Sequence, residues 1–216
     1  MRVYRVRVLD YTARGPTAEA TMVMAGSSCN STEAREPAAG QLAHVLDFQR
    51  DGYAIVRGVF NPADISYLAA AFDRIWRDGL DHPRSFRHGN VFFRVAEDGR
   101  LGRALRYVQW PSYFDPLLDR FRKDPRMLAI VEPLIGADLK QIINQLHWKP
   151  AGAAMAEFGY HQDIRFRRPR CAYRDPAASY VQTGIAIDPH RRENGAMLVY
   201  PGSHRMGELS LGEDGS

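Results

Sequence analysis

The sequence predicts one mainly β domain with flanking helices, in the form of a β-sandwich or jelly roll. Two capped helical segments lie in the first two thirds of the chain, and strand-like segments then follow Gly136. Parallel βαβ units would instead alternate helices and strands along the chain. With 216 residues, 45% of them hydrophobic, the chain has enough apolar side chains for one sizeable core.

The N-terminal segment, residues 1–40, is predicted to have little fixed structure. It shows no steady hydrophobic period, and the stretch Gly26-Ser-Ser-Cys-Asn-Ser-Thr-Glu is rich in small polar residues that favour turns or disorder. A start site assigned too far upstream would produce the same pattern, because Met22 and Met24 offer later starts. We therefore expect the domain to cover residues 41–216.

A helix, a strand and a second helix are predicted in order at the start of this domain. The first helix begins near Val45 and ends at Gly52, and the strand runs from Tyr53 to Phe60. Asn61 is suited to cap the second helix, with Pro62 in its first turn. Its apolar side chains recur with helical spacing at Ile65, Leu68, Phe72, Ile75 and Trp76.

The segment between Gly79 and Pro116 is predicted to consist of loops and short extended pieces, because aromatic residues and arginines are mixed there without a regular period. Two interpretations remain open, a lid that faces substrate or a long surface connection. A further helix is predicted after it, with Asp124 as cap and Gly136 at its C-terminal end.

Three strands are predicted in the remainder of the chain. They cover Ile142 to Lys149, Ser179 to Asp188 and Gly195 to Tyr200, and all three are rich in β-branched or aromatic residues. Side chains two apart on a strand share a face, so Gln145, His147 and Lys149 are expected to line one pocket. These groups offer a cation and hydrogen-bonding atoms to a ligand.

Composition narrows the classes of partner. A net charge of +4 is too small to indicate a nucleic-acid-binding protein, and no stretch has the roughly 20 apolar residues of a membrane helix. We expect a cytoplasmic protein that binds neither nucleic acid nor membrane. Cys29 and Cys171 stand in unrelated contexts and are expected to be free thiols.

The motif Tyr160-His-Gln-Asp carries the most chemical information. In extended backbone His161 and Asp163 would point to the same face and reach one metal ion, while Gln162 turns away. Two histidines and one carboxylate form the facial triad of non-haem iron(II) oxygenases, and this motif offers one of each ligand type. By itself His-x-Asp also fits a hydrogen-bonded surface pair.

Three motifs in order resemble the phytanoyl-CoA dioxygenase family of iron(II) and 2-oxoglutarate enzymes, which includes ectoine hydroxylase. They are Leu146-His-Trp-Lys-Pro-Ala-Gly, Tyr160-His-Gln-Asp and Glu193-Asn-Gly-Ala-Met-Leu-Val-Tyr-Pro-Gly-Ser-His-Arg. The opening strand, Asp51-Gly-Tyr-Ala-Ile-Val-Arg-Gly-Val-Phe, is also similar, so the resemblance extends from about Phe48 to Gly207. It implies a double-stranded β-helix, the cupin-like jelly roll.

The resemblance also implies roles for individual residues. His161 and Asp163 match the first two ligands of iron(II), and Lys149 matches a lysine that binds a carboxylate of the co-substrate 2-oxoglutarate. Beside it, Gln145 and His147 are expected to line the co-substrate pocket. His204, in Pro-Gly-Ser-His, lies outside the metal triad in the family and is not expected to bind metal. His190 is expected to be solvated.

The family's third ligand, a histidine, and an arginine that anchors 2-oxoglutarate are implied to lie beyond Ser216. We therefore expect the last strands of the jelly roll to be missing from this chain, which would leave exposed sheet edges that favour self-association. Three explanations stay open: a fragment of a longer protein, completion by another chain, or an inactive protein.

The predicted function is a dioxygenase that hydroxylates a small molecule and releases succinate and CO2. Arginines that follow the metal motif are compatible with an anionic substrate, but a solvated basic loop is the simpler explanation for them. They are Arg165, Arg167, Arg168, Arg170 and Arg174. The alternatives are a non-catalytic jelly-roll binding protein and a cupin-type hydrolase or isomerase that uses zinc or manganese.

Overall fold

A computed structural model describes residues 42–153, 159–166, 169, 180–192 and 195–210, together with the backbone of 3–6 and 20–25. Four α-helices are present in this part of the chain: α1 (Ala43–Asp51), α2 (Pro62–Leu80), α3 (Pro116–Arg122) and α4 (Pro125–Ile135). None of these described helices is long and apolar enough to cross a membrane.

The described strands form two antiparallel sheets. The strands are β1 (Val3–Val6), β2 (Ala20–Ala25), β3 (Tyr53–Arg57), β4 (Phe86–His88), β5 (Val91–Asp98), β6 (Gly102–Gln109), β7 (Gln145–Pro150) and β8 (Val181–Ile185). The larger sheet has the order β1-β7-β6-β5-β4, and the smaller has the order β3-β2-β8. Antiparallel sheets with flanking helices agree with the predicted mainly β class.

The predicted helix ends are confirmed by their capping geometry. Asn61 and Asp64 form a reciprocal capping box at the start of α2, with the Asn61 side chain accepting from the backbone N–H of Asp64 at 2.9 Å. Asp124 caps α4 through the backbone N–H of Arg126. Gly52 ends α1 with φ of 82°, a left-handed conformation that glycine adopts without strain. The short helix α3 was not predicted.

The main core lies between α2 and one face of the larger sheet. Leu68, Phe72 and Ile75 on α2 are fully buried there. The sheet contributes Val91, Phe93, Val95, Leu105, Val108, Leu146 and Trp148. The rings of Phe72 and Trp148 lie 5.2 Å apart. Full burial of one such side chain stabilises the fold by about 1.5–3 kcal/mol, so this face carries much of the stability.

Two strands lie within residues 1–40, where the sequence predicted little fixed structure. β1 pairs with β7, and β2 lies between β3 and β8. The prediction is wrong for these two stretches, because ladder hydrogen bonds from neighbouring strands supply order that local composition does not reveal. The rest of residues 1–40 lies outside the described part of the chain, and the boundary at residue 41 remains a prediction.

The segment between α2 and α3 was predicted as loops and short extended pieces, and this prediction is wrong for most of its length. It contains a hairpin of two eight-residue strands, β5 and β6, in the larger sheet. A register shift between Arg94 and Val95 explains the error, since it breaks the regular alternation that marks a strand in the sequence.

The predicted strand from Gly195 to Tyr200 is not observed, because these residues pair with no strand in the part of the chain that is described. The two other predicted strands correspond to β7 and β8. The predicted bend after Tyr200 is confirmed as a short 3-10 turn from Ser203 to Arg205.

This Pro-Gly-Ser-His-Arg turn packs on the C-terminus of α1. Gly202 donates its backbone N–H to Asp51 O at 2.8 Å, and Arg205 Nη2 donates to Gln49 O and Arg50 O at 3.0 and 2.8 Å. His204 Nε2 lies 3.3 Å from Gln49 O. The turn therefore satisfies the last carbonyl groups of α1, which have no partner within the helix. The contact of His204 with Gln49 O agrees with a structural role for this histidine in the turn.

Candidate active site

β7 separates apolar and polar side chains onto opposite faces of the larger sheet. Leu146 and Trp148 are 0% and 2% exposed and point into the core. Gln145, His147 and Lys149 are only partly buried and share the other face, as the two-residue period of a strand requires. The predicted grouping of these three residues is thus observed, whereas their roles remain predictions.

The neighbouring strands extend this polar face. Tyr107 lies opposite His147 in the register of β6 and β7, and their ring centroids are 5.7 Å apart. Phe92 on β5 follows, with its ring 6.1 Å from Tyr107. We call this surface the site face. Its members are Phe92, Arg106, Tyr107, Gln109, Gln145, His147 and Lys149.

A β-bulge in β6 places Arg106 on the site face. Tyr107 pairs with Arg94 and Leu105 pairs with Val95, so Arg106 is an extra residue without a counterpart on β5. Leu105 and Val108 are both fully buried in the core although they are three positions apart. Only a bulge lets both point to one face. The sequence analysis missed Arg106, but the apolar positions 104, 105 and 108 already contradict strict alternation.

His161 and Asp163 lie close together, as the motif predicted. His161 Nε2 is 3.4 Å from Asp163 Oδ1, and the side chains are 37% and 22% exposed. His161 and Gln162 lie in no regular element, and a 3-10 turn begins at Asp163. The two side chains are therefore close together without belonging to a β-strand.

The geometry of this pair fits a metal ion. Two adjacent ligands at about 2.1 Å from one ion lie roughly 3 Å apart, close to the observed separation. His161 Nδ1 lies 2.8 Å from Gly159 O, and donation of its proton there leaves the Nε2 lone pair directed toward Asp163. Among the described residues, no group of three His, Cys, Asp or Glu side chains is close enough to hold a metal ion.

Gln162 points away from His161 and Asp163, which we call the metal-ligand pair. Its side chain forms hydrogen bonds to a later segment of the chain. Its side-chain amide donates to Gly207 O at 2.9 Å and accepts from the backbone N–H of Leu209 at 2.8 Å. These two hydrogen bonds resemble those between paired strands. They hold Gln162, and with it the backbone between His161 and Asp163, against the later segment. The expectation that Gln162 points away from the metal is confirmed by this contact.

The charges of the site act on His147. Its pKa is lowered to about 4, mainly by burial, with the positive charges of Arg106 and Lys149 acting in the same direction and the carboxylate of Asp163 opposing them. His147 is consequently neutral at physiological pH. Because Asp163 acts on this ring, the site face and the metal-ligand pair belong to the same neighbourhood.

In the metal-ligand pair the pKa of the histidine is shifted in the opposite direction from that of His147. The hydrogen bond with Asp163 raises the pKa of His161, and burial partly opposes this effect. The carboxylate therefore favours a cation at Nε2, whether a proton or a metal ion. Binding of a divalent ion at this position would displace the proton.

Lys149 is held by Gly195, the last residue of the Glu-Asn-Gly motif. Its Nζ donates to Gly195 O at 2.6 Å, and Gly195 has φ of 79°. A Cβ at position 195 would lie only 3.2 Å from Lys149 Cδ, so the glycine leaves room for the lysine stem. The turn thus positions the ammonium group at the edge of the site face.

His190 is buried, which corrects the prediction that it is solvated. Its side chain is 7% exposed, and burial lowers its pKa to about 4, with Lys149 contributing in the same direction. The loop before the Glu-Asn-Gly turn therefore buries the side chain of His190, within reach of the charge of Lys149. The residues around position 190 do not indicate that His190 is buried, because its burial depends on packing between distant segments.

Some predicted features lie outside the described residues. These are the arginines at 167, 168, 170 and 174 and both cysteines. Arg165 is described and exposed, and its charge slightly opposes the raised pKa of His161.

Comparison with known proteins identifies similar sequences. The sequence profile of the family described as Phytanoyl-CoA dioxygenase (PhyH) matches residues 48–212. The ectoine dioxygenase of Bordetella parapertussis is 25% identical over 169 residues, which cover 78% of this chain and 51% of that protein. The peroxisomal phytanoyl-CoA dioxygenase of Mus musculus is 24% identical over 160 residues, or 73% of this chain and 46% of that protein.

A shorter match relates the chain to the probable alpha-ketoglutarate-dependent hypophosphite dioxygenase of Stutzerimonas stutzeri. It is 24% identical over 109 residues, covering 50% of this chain and 35% of that protein. The chain spans about half the length of the ectoine and phytanoyl-CoA dioxygenases that it matches. No solved structure matches the sequence.

Proposed function

Because this chain belongs to the phytanoyl-CoA dioxygenase family, we propose that it is an iron(II)- and 2-oxoglutarate-dependent dioxygenase with a jelly-roll fold. It hydroxylates a small-molecule substrate and releases succinate and CO2. The observation that carries the proposal is the separation of 3.4 Å between His161 Nε2 and Asp163 Oδ1, beside a polar sheet face. An imidazole and a carboxylate are two of the three ligands in the facial triad of such oxygenases.

His161 and Asp163 would hold the iron ion, with the tautomer of His161 set by Gly159 O. Bound iron(II) together with 2-oxoglutarate supplies the oxidising power for hydroxylation of a C–H bond. The protein contributes binding, orientation and exclusion of water. The third protein ligand implied by the family resemblance is not among the described residues.

Lys149 would bind a carboxylate of 2-oxoglutarate. Its ammonium group stands at the edge of the site face, held at Gly195 O. His147 and Gln145 lie on the same face, with His147 Nε2 3.0 Å from Gln145 Oε1. Since His147 is neutral at physiological pH, it offers hydrogen bonds and adds no second charge. One cation and two neutral polar groups suit a carboxylate ligand.

The names of the relatives support the reaction type and leave the substrate open. Ectoine, phytanoyl-CoA and hypophosphite appear in these names, and the last relative is called alpha-ketoglutarate-dependent. The three substrates differ widely in size and charge. A shared reaction type with divergent substrates is the pattern that would follow from a common metal centre and variable surrounding residues.

Anaerobic titration of the purified 216-residue chain with iron(II) and 2-oxoglutarate tests the proposal. We expect the weak visible charge-transfer band of iron chelated by 2-oxoglutarate, and its loss in His161→Ala and Asp163→Ala. His88→Ala is the matched control, because His88 is an exposed residue on β4 at the opposite edge of the sheet from β7 and β1.

Absence of the band from folded protein contradicts the proposal for this chain. A non-catalytic binding protein would retain carboxylate binding without the band. A hydrolase or isomerase with the same two ligands would bind zinc or manganese and consume no 2-oxoglutarate. Succinate formation under air separates the dioxygenase from both alternatives.

A further inference from the structure

The Pro-Gly-Ser-His-Arg turn takes no direct part in the proposed metal and co-substrate sites, yet it is fixed to the C-terminus of α1. Arg205 Nη2 donates to the carbonyl groups of both Gln49 and Arg50. Gly52 leaves room for the ring of His204, because a Cβ at position 52 would collide with that ring. The turn therefore has a defined position relative to α1.

The segment that follows the turn is bonded to the metal motif. Gln162 Nε2 donates to Gly207 O at 2.9 Å, and Gln162 Oε1 accepts from the backbone N–H of Leu209 at 2.8 Å. Gly207 stands two residues after Arg205, is buried and has φ of 72°, a conformation that favours glycine. A single amide thus uses a donor and an acceptor at once, which fixes the position of the Gln162 side chain.

The backbone that carries the two proposed metal ligands depends on such contacts. His161 and Gln162 lie in no regular element, so within the described part of the chain they have no strand ladder to hold them. The carbonyl group of Gln162 accepts from the backbone N–H of Arg165 at 3.0 Å, at the start of the 3-10 turn that begins at Asp163. Gln162 is therefore held through both its main chain and its side chain, and its two neighbours are the ligands.

We propose that Gln162 is a positioning residue for the metal centre, and that the Pro-Gly-Ser-His-Arg turn supports it by fixing residues 207–209 relative to α1. The inference rests on the proposed function, because it assumes a metal ion at His161 and Asp163. Gln162 does not touch the ion in this arrangement. It acts through the backbone that it shares with both ligands, and such ligands must stay within about 0.5 Å of the binding geometry.

Binding of cobalt(II) to the purified 216-residue chain tests this role. Isothermal titration gives the dissociation constant, and the visible ligand-field bands report the coordination geometry. Gln162→Met keeps the length of the side chain and removes both of its hydrogen bonds. We expect this variant to raise the dissociation constant about tenfold or more, as the loss of an outer partner of a metal site does, and to change the ligand-field bands.

Matched variants separate positioning from a general loss of stability. Gln141→Met is the control for Gln162→Met, since Gln141 is also partly buried and accepts from Arg122 at 3.4 Å. It should bind cobalt(II) as the wild type does. Arg205→Met should raise the dissociation constant by a smaller factor, because the turn keeps its other contacts with α1. Its control is Arg126→Met, which removes a bond to the carbonyl group of Val59.

Hydrogen exchange at Leu209 gives a measurement that needs no variant. Coupling between two sites is reciprocal, so an ion that fixes the metal-ligand pair also stabilises the hydrogen bond between Gln162 and Leu209. We expect cobalt(II) to slow exchange of the Leu209 N–H in the wild type, relative to the amides of β5, as read by mass spectrometry. In Gln162→Met the exchange should be fast with and without the ion. A role in folding alone would not make this exchange depend on the metal.

Three results would overturn the proposal. They are absence of cobalt(II) binding in the wild type, an unchanged dissociation constant in folded Gln162→Met, and exchange at Leu209 that does not respond to cobalt(II). Urea unfolding without metal shows which variants are folded. If Gln162→Met does not fold, Gln162→Asn replaces it with the same expectation, because its shorter side chain cannot span both partners.

Failure of the proposed function gives a different result. The iron titration can lack its charge-transfer band while cobalt(II) affinity still depends on Gln162, and such a protein would use the supported metal-ligand pair for other metal chemistry. Conversely, a charge-transfer band together with unchanged cobalt(II) affinity in Gln162→Met would keep the proposed function and remove the positioning role.

Discussion

The two faces of β7 differ in almost every physical property although their residues alternate along one strand. On the core face, Leu146 and Trp148 are fully buried against α2. On the site face, His147 and Lys149 are partly exposed and interact with charged groups. Because alternate side chains of a strand point to opposite faces, one face of β7 packs in the core while the other face is available to bind ligands. Substitutions on the two faces should therefore affect different measurements.

The largest effect is expected on the core face. Trp148→Ala removes a ring that lies 5.2 Å from Phe72 and 5.9 Å from Trp76, and it should lower the free energy of unfolding by about 3–5 kcal/mol. His147→Ala, one position away, should lower it by about 1 kcal/mol or less. Urea unfolding measures both values. Equal losses would contradict the separation of the two faces.

Acidification should lower the stability of the protein through two histidines, His147 on the site face and His190 in the loop near Lys149. His147 and His190 have pKa values lowered by burial to about 4, against about 6.5 in an unfolded chain. Below pH 6.5 the unfolded chain takes up protons that the folded protein refuses, so stability falls as the pH decreases toward 4. Between pH 7.5 and pH 5 each histidine should cost about 2 kcal/mol.

His190→Gln tests the size of this effect, because glutamine does not titrate. Urea unfolding at pH 7.5 and pH 5 should show a smaller loss of stability in this variant than in the wild type. His88→Gln, which replaces an exposed histidine on β4, is the matched control. The electrostatic account of the site would be wrong if His190→Gln lost stability on acidification as steeply as the wild type.

A smaller effect is expected at the turn that holds Lys149. Gly195→Ala places a Cβ 3.2 Å from Lys149 Cδ and forces alanine to a φ of 79°. The left-handed backbone should cost about 1 kcal/mol of stability, and displacement of the lysine should weaken 2-oxoglutarate binding several-fold. Gly89→Ala is the control, since Gly89 has φ of 57° and no atom near its Cβ position. It should lose stability without losing affinity.

The sequence correctly predicted those features that depend on neighbouring residues in the chain. Asn61 and Asp124 were assigned as helix caps from residue type and position, and both form the expected hydrogen bonds. Alternation along β7 correctly grouped Gln145, His147 and Lys149. The proximity of His161 and Asp163 was also predicted, although the 3-10 turn that begins at Asp163 was not.

The errors arise where distant segments decide the structure. The β5–β6 hairpin was not predicted, because the bulge at Arg106 breaks the strict alternation of apolar and polar residues that indicates a strand. His190 is buried by packing that its neighbours in the sequence do not reveal. The stretch from Gly195 to Tyr200 has strand-forming residues but no strand partner among the described residues. Residue preference alone cannot supply a partner.

The turn that caps α1 also affects the order of events during synthesis. Arg205 donates to a carbonyl of α1 that lies 155 residues earlier in the chain. At about 5–20 residues per second, a ribosome needs roughly 8–30 s to make the intervening segment. During that time the last turn of α1 lacks these partners and is open to water, to proteases and to chaperones.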